Sequence, residues 1–91
     1  MSVEIINING FIQMKGEFTV ENKVQVKTYF SNHISTHSIV TVCLKNIRKI
    51  DESAIDVLKF IHRKASKKQT ELIVSGTNNP IINKAFKIFN I

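Results

Sequence analysis

Residues 39–55 read IVTVCLKNIRKIDESAI, and this segment is the most informative about how the chain folds. From Ile39 to Leu44 the residues are apolar or β-branched on both alternating faces, which predicts a central strand covered on both sides. Residues 45–50 are expected to form a connecting loop. Asp51 or Ser53 then supplies an N-cap, and acidic and hydroxyl-bearing residues fill the first turn of the next helix. The segment therefore predicts a buried strand, a loop and a helix with a polar N-terminus.

The chain before this segment predicts a β-hairpin and an amphipathic helix. Residues 3–8 and 11–15 favour β-structure, and the Asn9-Gly10 pair between them is a strong hairpin-turn signal. Thr19 predicts the N-cap of a helix that extends to about residue 34. Apolar residues spaced by four indicate the buried face of this helix, namely Val20, Val24, Val26, Phe30 and Ile34.

The chain after Asp51 predicts two further helices and another strand. The second helix runs to about residue 67, with a stripe of apolar residues at Ala54, Leu58, Ile61 and Ala65. Residues 71–75 predict another short buried strand, ended by Gly76, and Asn79-Pro80 marks the start of a third helix. Strands that alternate with helices after a hairpin predict β-α-β units and an α/β fold. We expect a single domain over residues 1–91, with a mixed four- to five-stranded sheet packed with about three helices.

Composition predicts a small globular protein with a basic surface. The chain has 91 residues, 13 of them Lys or Arg against 7 Asp or Glu, so its formal net charge is +6. A single cysteine and the absence of a basic, apolar leader predict a cytoplasmic location, and no run approaches the roughly 20 apolar residues of a membrane span. The charge fits either a solvated lysine-rich surface or an anionic partner, for which Arg63, Lys64, Lys67 and Lys68 are the candidates.

The sequence contains no catalytic or cofactor motif. His33, His37, His62 and Cys43 lack metal-ligand spacing, and no glycine-rich phosphate loop or nucleophile elbow is present. We therefore predict a protein that is not an enzyme, with no cofactor and no metal site. The remaining candidate for function is the segment 51–54, Asp-Glu-Ser-Ala, which either only caps the helix or also forms a recognition or phosphorylation surface.

Most of the chain resembles the STAS domain family, which includes the anti-sigma factor antagonists. The residues that carry the resemblance are the strand at 40–44, the segment 50–58, the strand with its terminal glycine at 71–76 and the last helix at 80–89. Residues 12–18 are similar to the family's strand, glycine, glutamate and hydrophobe. The resemblance implies a STAS-like fold that is C-terminally short, because many members continue with a further helix. It leaves a homodimer open.

The resemblance also implies a bacterial, cytoplasmic regulator of transcription that acts by partner switching and binds other proteins. It implies docking of a serine-kinase-type anti-sigma factor through the loop 51–54 and the following helix. We predict partner contacts at Asp51, Glu52, Ser53, Ala54, Asp56 and Lys59. Glu52 occupies the position where family members carry a phosphorylatable hydroxyl, and Ala54 replaces the usual glycine. Ser53 is then the candidate phosphorylation site, and conventional phospho-control is expected to be weakened or absent.

Two alternative functions remain open from the sequence. Relatives of the fold serve as accessory subunits of phospholipid-transport ABC complexes, where they bind the ATPase subunit, and the missing target serine suits that role. The basic residues would also suit a nucleic-acid-binding domain, whose affinity should fall steeply with salt.

Overall fold

A computed structural model describes residues 2–89, which form one four-stranded sheet and three α-helices. The elements are β1 (Val3–Ile8), β2 (Phe11–Phe18), a 3-10 turn (Val20–Asn22), α1 (Lys23–Thr36), β3 (Ile39–Ile50), α2 (Glu52–Lys67), β4 (Glu71–Ser75) and α3 (Pro80–Ile88). The strands lie in the order β1-β2-β3-β4. The β1–β2 pair is antiparallel, and the β2–β3 and β3–β4 pairs are parallel. The predicted α/β fold, with a hairpin followed by β-α-β units, is confirmed.

The hairpin forms where the sequence predicts it. Asn9 and Gly10 both have positive φ, 53° and 86°, as a two-residue hairpin turn requires. The Gly10 N–H donates to Asn7 Oδ1 at 2.9 Å, and Ile8 pairs with Phe11. β2 then continues to Phe18, three residues beyond the predicted end.

The predicted loop at residues 45–50 is wrong, because β3 continues through it to Ile50. The second half of β3 pairs with the second half of β2, and Ile47 lies opposite Gly16 with only 2% of its surface exposed. A register shift separates the two halves of this ladder, between Gln13 and Lys15 of β2. The polar pair at 45–46 lies at this irregularity, so the alternation that indicates a strand is broken there.

The prediction that the central strand is covered on both sides is also wrong. Val40, Val42 and Leu44 are buried beneath the helices, but Ile39, on the opposite face, is 55% exposed. Residues of all three helices line a groove over Val42, so the helices occupy the same side of the sheet. The sheet therefore has one face under helices and one open face. The apolar run in β3 does not indicate that one of its two faces is exposed.

α1 begins later than predicted and buries fewer apolar residues. The Asn22 side chain accepts from the Thr19 N–H at 2.8 Å and donates to the Glu17 carbonyl at 2.7 Å, which stabilises a 3-10 turn ahead of the helix. The buried stripe is Val26, Phe30 and Ile34, whereas Val20 and Val24 are 52% and 69% exposed. At about 100° per residue, position 24 lies on the far side of the helix from position 26.

The remaining elements match their predicted positions. α2 buries the predicted stripe against the sheet, and β4 spans the predicted five residues. The prediction that β4 is buried is wrong, because it has a neighbouring strand on one side only among the described residues, and Ile73 and Val74 are exposed. α3 begins at Pro80, with Asn79 as its N-cap. These elements place the N-termini of α2 and α3 at the same edge of the sheet, beyond the carboxyl ends of the parallel strands.

Candidate functional site

The N-terminus of α2 is built around the Asp51 side chain. Its Oδ1 accepts from the Ala54 N–H at 3.0 Å, so that Asp51, and not Ser53, is the N-cap of α2. Its Oδ2 accepts from the Val20 N–H, also at 3.0 Å, and so reaches a residue 31 positions earlier in the chain. One carboxylate therefore holds together the beginnings of α2 and of the segment that leads into α1.

Because of this link, the residues before α1 lie beside the first turn of α2. Ser53 lines a groove of about 200 Å³ between the two helices, together with Lys23, Lys27, Asp56 and Phe60. The Lys27 Nζ lies 4.2 Å from the centroid of the Phe60 ring, a cation–π contact that joins the helices across the groove. The candidate phosphorylation site thus faces a mixed environment, with two cations and one carboxylate around the same groove.

Two exposed apolar side chains, Val20 and Val24, lie next to this groove. Val24 is part of its lining, and Val20 is tied to the N-terminus of α2 through its backbone N–H. Val20 lies in the 3-10 turn and Val24 in the first turn of α1, and neither belongs to the buried stripe of the helix. Neighbouring apolar side chains that stay exposed are typical of protein contact surfaces. Reading all the valines of this helix as one buried face hides this signal. The separation of Val24 from Val26, about 200° around the helix axis, could have revealed it.

The predicted contact residues do not all reach the surface. Glu52 and Asp56 are exposed, and Ser53, Asp51 and Lys59 are half-buried. Ala54 has no exposed surface, so its side chain belongs to the core and cannot touch a partner in this conformation. Asp51 is engaged by two backbone N–H groups. The accessible part of the predicted set is therefore Glu52, Ser53, Asp56 and Lys59.

The four basic residues singled out in the sequence do lie together. Arg63, Lys64, Lys67 and Lys68 line a second groove of about 310 Å³ near the C-terminal end of α2, and Phe60 is shared between this groove and the first. α2 therefore carries acidic residues at its beginning and basic residues at its end, which also suits the helix dipole.

No three His, Cys, Asp or Glu side chains within residues 2–89 come together as a metal site. The rings of His33 and His37 stack at 3.9 Å between centroids, near the end of α1. His33 Nε2 is buried without a hydrogen-bond partner. Burial, and secondarily the nearby His37, lower the pKa of His33 below its usual 6.5. No helix of the described residues is long and apolar enough to span a membrane.

Comparison with known proteins identifies the family. The STAS domain model matches residues 1–90, and the chain therefore belongs to the STAS domain family. No curated protein sequence matches the chain significantly.

Solved structures of anti-sigma factor antagonists share the fold. Unphosphorylated SpoIIAA superimposes with a TM-score of 0.69 at 14% identity, covering 96% of this chain and 83% of that one. The phosphorylated form of the Bacillus protein gives 0.70 at 14% identity, with 97% and 83% covered. An anti-sigma factor antagonist from Mycobacterium paratuberculosis gives 0.74 at 10% identity, with 98% and 77% covered. At these identities the likeness establishes the fold.

Proposed function

We propose that this STAS domain is a non-catalytic regulator in the bacterial cytoplasm that docks a serine-kinase-type anti-sigma factor. The docking surface is formed by accessible residues of the α1 and α2 N-terminal regions, namely Val20, Lys23, Val24, Lys27, Glu52, Ser53, Asp56 and Lys59. The observation that carries the proposal is the Asp51 carboxylate, which fixes both regions as one surface. Resemblance of the fold to anti-sigma factor antagonists supplies the class of partner.

The composition of the docking surface suits a protein partner. The exposed valines provide apolar area that gains free energy when water is removed. The lysines and carboxylates around them affect the orientation of the partner and the rate of association more than the affinity. The positions are held by helices and a capped helix start, so little ordering is needed on binding.

We test the docking surface with Val24→Asp, measured by calorimetric titration against the serine-kinase-type anti-sigma factor of the same organism. Burying a carboxylate in place of an exposed valine should weaken binding at least tenfold, or about 1.4 kcal/mol. Ile8→Asp is the matched control, since Ile8 is also an exposed apolar residue but lies in β1, outside the docking surface. Equal losses from both variants would place the contact elsewhere.

Phosphorylation is proposed to be weak or absent in this chain. Glu52 is exposed at the family's hydroxyl position and already carries a negative charge. Ser53 lies in the groove between two lysines and Asp56, where a phosphate would add roughly −1.5 to −2 charge. Incubation with the kinase and ATP, read by intact mass, should leave the wild type unmodified and should modify Glu52→Ser. Stoichiometric phosphate on the wild type that disappears in Ser53→Ala would overturn this proposal.

A second candidate is an accessory subunit of a phospholipid-transport ABC complex. It is favoured by the carboxylate at position 52, which a kinase cannot modify, and by the basic groove at the end of α2. Copurification from the native host distinguishes the two candidates. An ATPase and a permease in the purified complex would support the second, and a serine-kinase-type anti-sigma factor the first.

A further inference from the structure

The second half of α2 carries a concentration of positive charge. Between Asp56 and Glu71 the sequence has five lysines or arginines and no acidic residue. Four of the five line the basic groove at the end of this helix. That groove has a volume of about 310 Å³ and is formed by Phe60, Arg63, Lys64, Lys67 and Lys68. Within residues 2–89, no carboxylate belongs to its lining, so the positive charge is not neutralised by the walls of the groove.

This arrangement opposes the stability of the helix. Lys59, Arg63 and Lys67 follow one another at four-residue spacing. Like charges at this spacing lie on one helix face and destabilise the helix. The helix dipole favours cations only in the last turn, where Lys64 and Lys67 lie, so it does not account for Lys59 and Arg63. A local preference that is violated in this way is expected at a functional surface.

The basic groove continues the groove that lies beside the docking surface. Phe60 lines both grooves, and the Lys27 Nζ of α1 lies over its ring. The groove over Val42 shares no residue with the basic groove and is lined by His62 of α2 together with residues of β4 and α3. Lys67 lies about 140° from His62 around the helix axis. The basic groove is therefore on the α1 side of α2, away from β4 and α3.

The length of the basic groove suits a short extended peptide. Phe60 and Lys68 are separated by eight positions, which corresponds to roughly 12 Å along a helix. An extended chain covers that length with about four residues. The four cations of the groove therefore match a short segment rich in aspartate and glutamate. Charge pairs of this kind at the rim of an interface affect the rate of association and the orientation of the partner.

The same groove suits nucleic acids and membranes less well. Proteins that bind single-stranded nucleic acid stack its bases on aromatic rings. Of the described residues, Phe60 is the one aromatic residue in this lining, and the Lys27 Nζ lies 4.2 Å from its ring centroid. Helices that lie on a membrane insert several apolar side chains beside their lysines. The half-buried Phe60 is alone in that respect among the described lining residues, whereas an acidic polypeptide needs neither feature.

We infer that the basic groove binds an acidic segment of the protein partner that occupies the docking surface. The segment is an extended stretch of aspartate and glutamate residues that leaves the docking surface near Phe60 and follows α2 toward its C-terminal end. This inference rests on the proposed function for the partner and adds the chemistry by which the partner is recognised. Because the contact joins exposed charges, its contribution to affinity falls as salt rises.

Titration of the isotope-labelled full chain with octaglutamate, followed by NMR, tests the groove without the partner. In about 50 mM salt, the amides of residues 60–68 should shift more than those elsewhere. Arg63→Glu combined with Lys67→Glu should weaken binding at least tenfold, and the fold should persist because both side chains are exposed. Lys84→Glu combined with Lys87→Glu is the matched control. It makes the same change of net charge at two exposed positions of α3 and should bind octaglutamate nearly as the wild type does.

Calorimetric titration against the serine-kinase-type anti-sigma factor then relates the groove to docking. The Arg63→Glu and Lys67→Glu double variant should bind more weakly than the wild type at low salt, and the difference should disappear in about 1 M NaCl. Val24→Asp should weaken binding at both salt concentrations, because it changes apolar contact area. An anti-sigma factor that does not bind the wild type would contradict the proposed function, while the octaglutamate titration would still decide whether the groove accepts an acidic segment.

Three outcomes overturn the inference. One is an octaglutamate titration that leaves the amides of residues 60–68 unshifted, even if vesicles of phosphatidylglycerol shift them, which would assign the groove to an anionic membrane. Another is equal weakening by the α3 control, which would assign binding to net charge alone. The third is tighter binding of a single-stranded oligothymidylate of equal charge at the same amides, which would assign the groove to nucleic acid.

Discussion

Two helices, α2 and α3, begin at the carboxyl edge of the sheet with the same type of N-cap. Their capping residues differ in the further hydrogen bonds that they make. Asp51 caps α2 through the Ala54 N–H, and Asn79 caps α3 through the Ile81 N–H, each at 3.0 Å. The second polar atom of Asp51 reaches an N–H group at the surface, that of Val20. The comparison shows that a capping residue alone does not indicate whether the helix start it stabilises is accessible to a partner or serves the fold.

The Asn79 amide instead serves the framework of the sheet. Its Nδ2 lies within hydrogen-bond distance of three carbonyls of β3, those of Leu44, Lys45 and Ile47, at 2.9 to 3.1 Å. These carbonyls lie at the irregularity in the β2–β3 ladder, where strand pairing does not satisfy every backbone group. The start of α3 therefore stabilises β3, while the start of α2 arranges accessible residues around a groove.

The largest expected effect is at the turn that leads into α3. In Gly76→Ala, the new Cβ would overlap the backbone of Lys45, and φ there is 78°. We expect the free energy of unfolding to fall by about 3 kcal/mol, measured by urea denaturation. Gly10→Ala is the control, since Gly10 also has positive φ but has open space around it, and it should cost about 1 kcal/mol.

Asn79→Ala should cost about 2 to 3 kcal/mol in the same measurement, because it removes a cap and the donor to three carbonyls. Asn79→Asp keeps the capping oxygen but places a carboxylate against those carbonyls. It should therefore be no more stable than the alanine variant. An aspartate variant as stable as the wild type would show that the carbonyl contacts contribute nothing.

Asp51→Ala should cost less, about 1 to 2 kcal/mol, since the Asp51 side chain makes two hydrogen bonds and that of Asn79 makes four. Exchange of the Val20 amide should accelerate in the same variant. The control Asp56→Ala removes an exposed carboxylate one turn later and should change stability by no more than about 0.5 kcal/mol. If the two variants were equally stable, Asp51 would not join the two helix starts.

The end of α1 carries His33, whose protonation should make the stability of the fold depend on pH. Since the pKa of His33 is lowered in the folded protein, the unfolded chain binds the proton more tightly. The contribution of His33 to the free energy of unfolding is therefore present above pH 6.5 and is lost as the pH falls below that value. Replacing His33 by Phe should flatten the pH dependence of unfolding between pH 7 and pH 5.

The smallest effect is expected at Glu52, directly beside the Asp51 cap. Glu52→Gln removes a favourable charge at the helix N-terminus, and exposed charges of this kind contribute about 0.3 to 1 kcal/mol at low salt. The loss should disappear at high salt, when unfolding is repeated in about 1 M NaCl. A loss that persists in salt would mean that Glu52 has a structural partner.

Much of the fold could be predicted because its signals are local. Asn9-Gly10, the Asp51 cap and the Asn79-Pro80 pair each depend on steric and hydrogen-bonding preferences within a few residues. The extension of β3 could not be predicted in this way, because Lys45 and Asn46 break the alternation and only the partner strand restores it. The exposure of Ile39 had the same origin, since an apolar strand does not indicate how many layers cover it.

The residues of the candidate site also fall into two groups, those that the sequence predicts and those that only the tertiary structure brings together. Glu52, Ser53 and Asp56 follow from the sequence, because they occupy the first turns of a recognisable helix. Val24 and Lys27 do not, since they come within reach of α2 only when a carboxylate 31 residues away binds the Val20 N–H. Ala54 was expected at the surface, but the helix rotation that buries the core stripe also buries its methyl group.

The amino-acid sequence by itself determined the order of strands and helices, their capped beginnings and the membership of the STAS family. These properties depend on backbone preferences and on short patterns of neighbouring residues. Tertiary structure alone decided that one sheet face stays open, that β4 lies at an edge of the described sheet and that α1 lies beside the first turn of α2. Such properties depend on which distant segments pack together, and the free energy of that packing is shared among residues far apart in the chain.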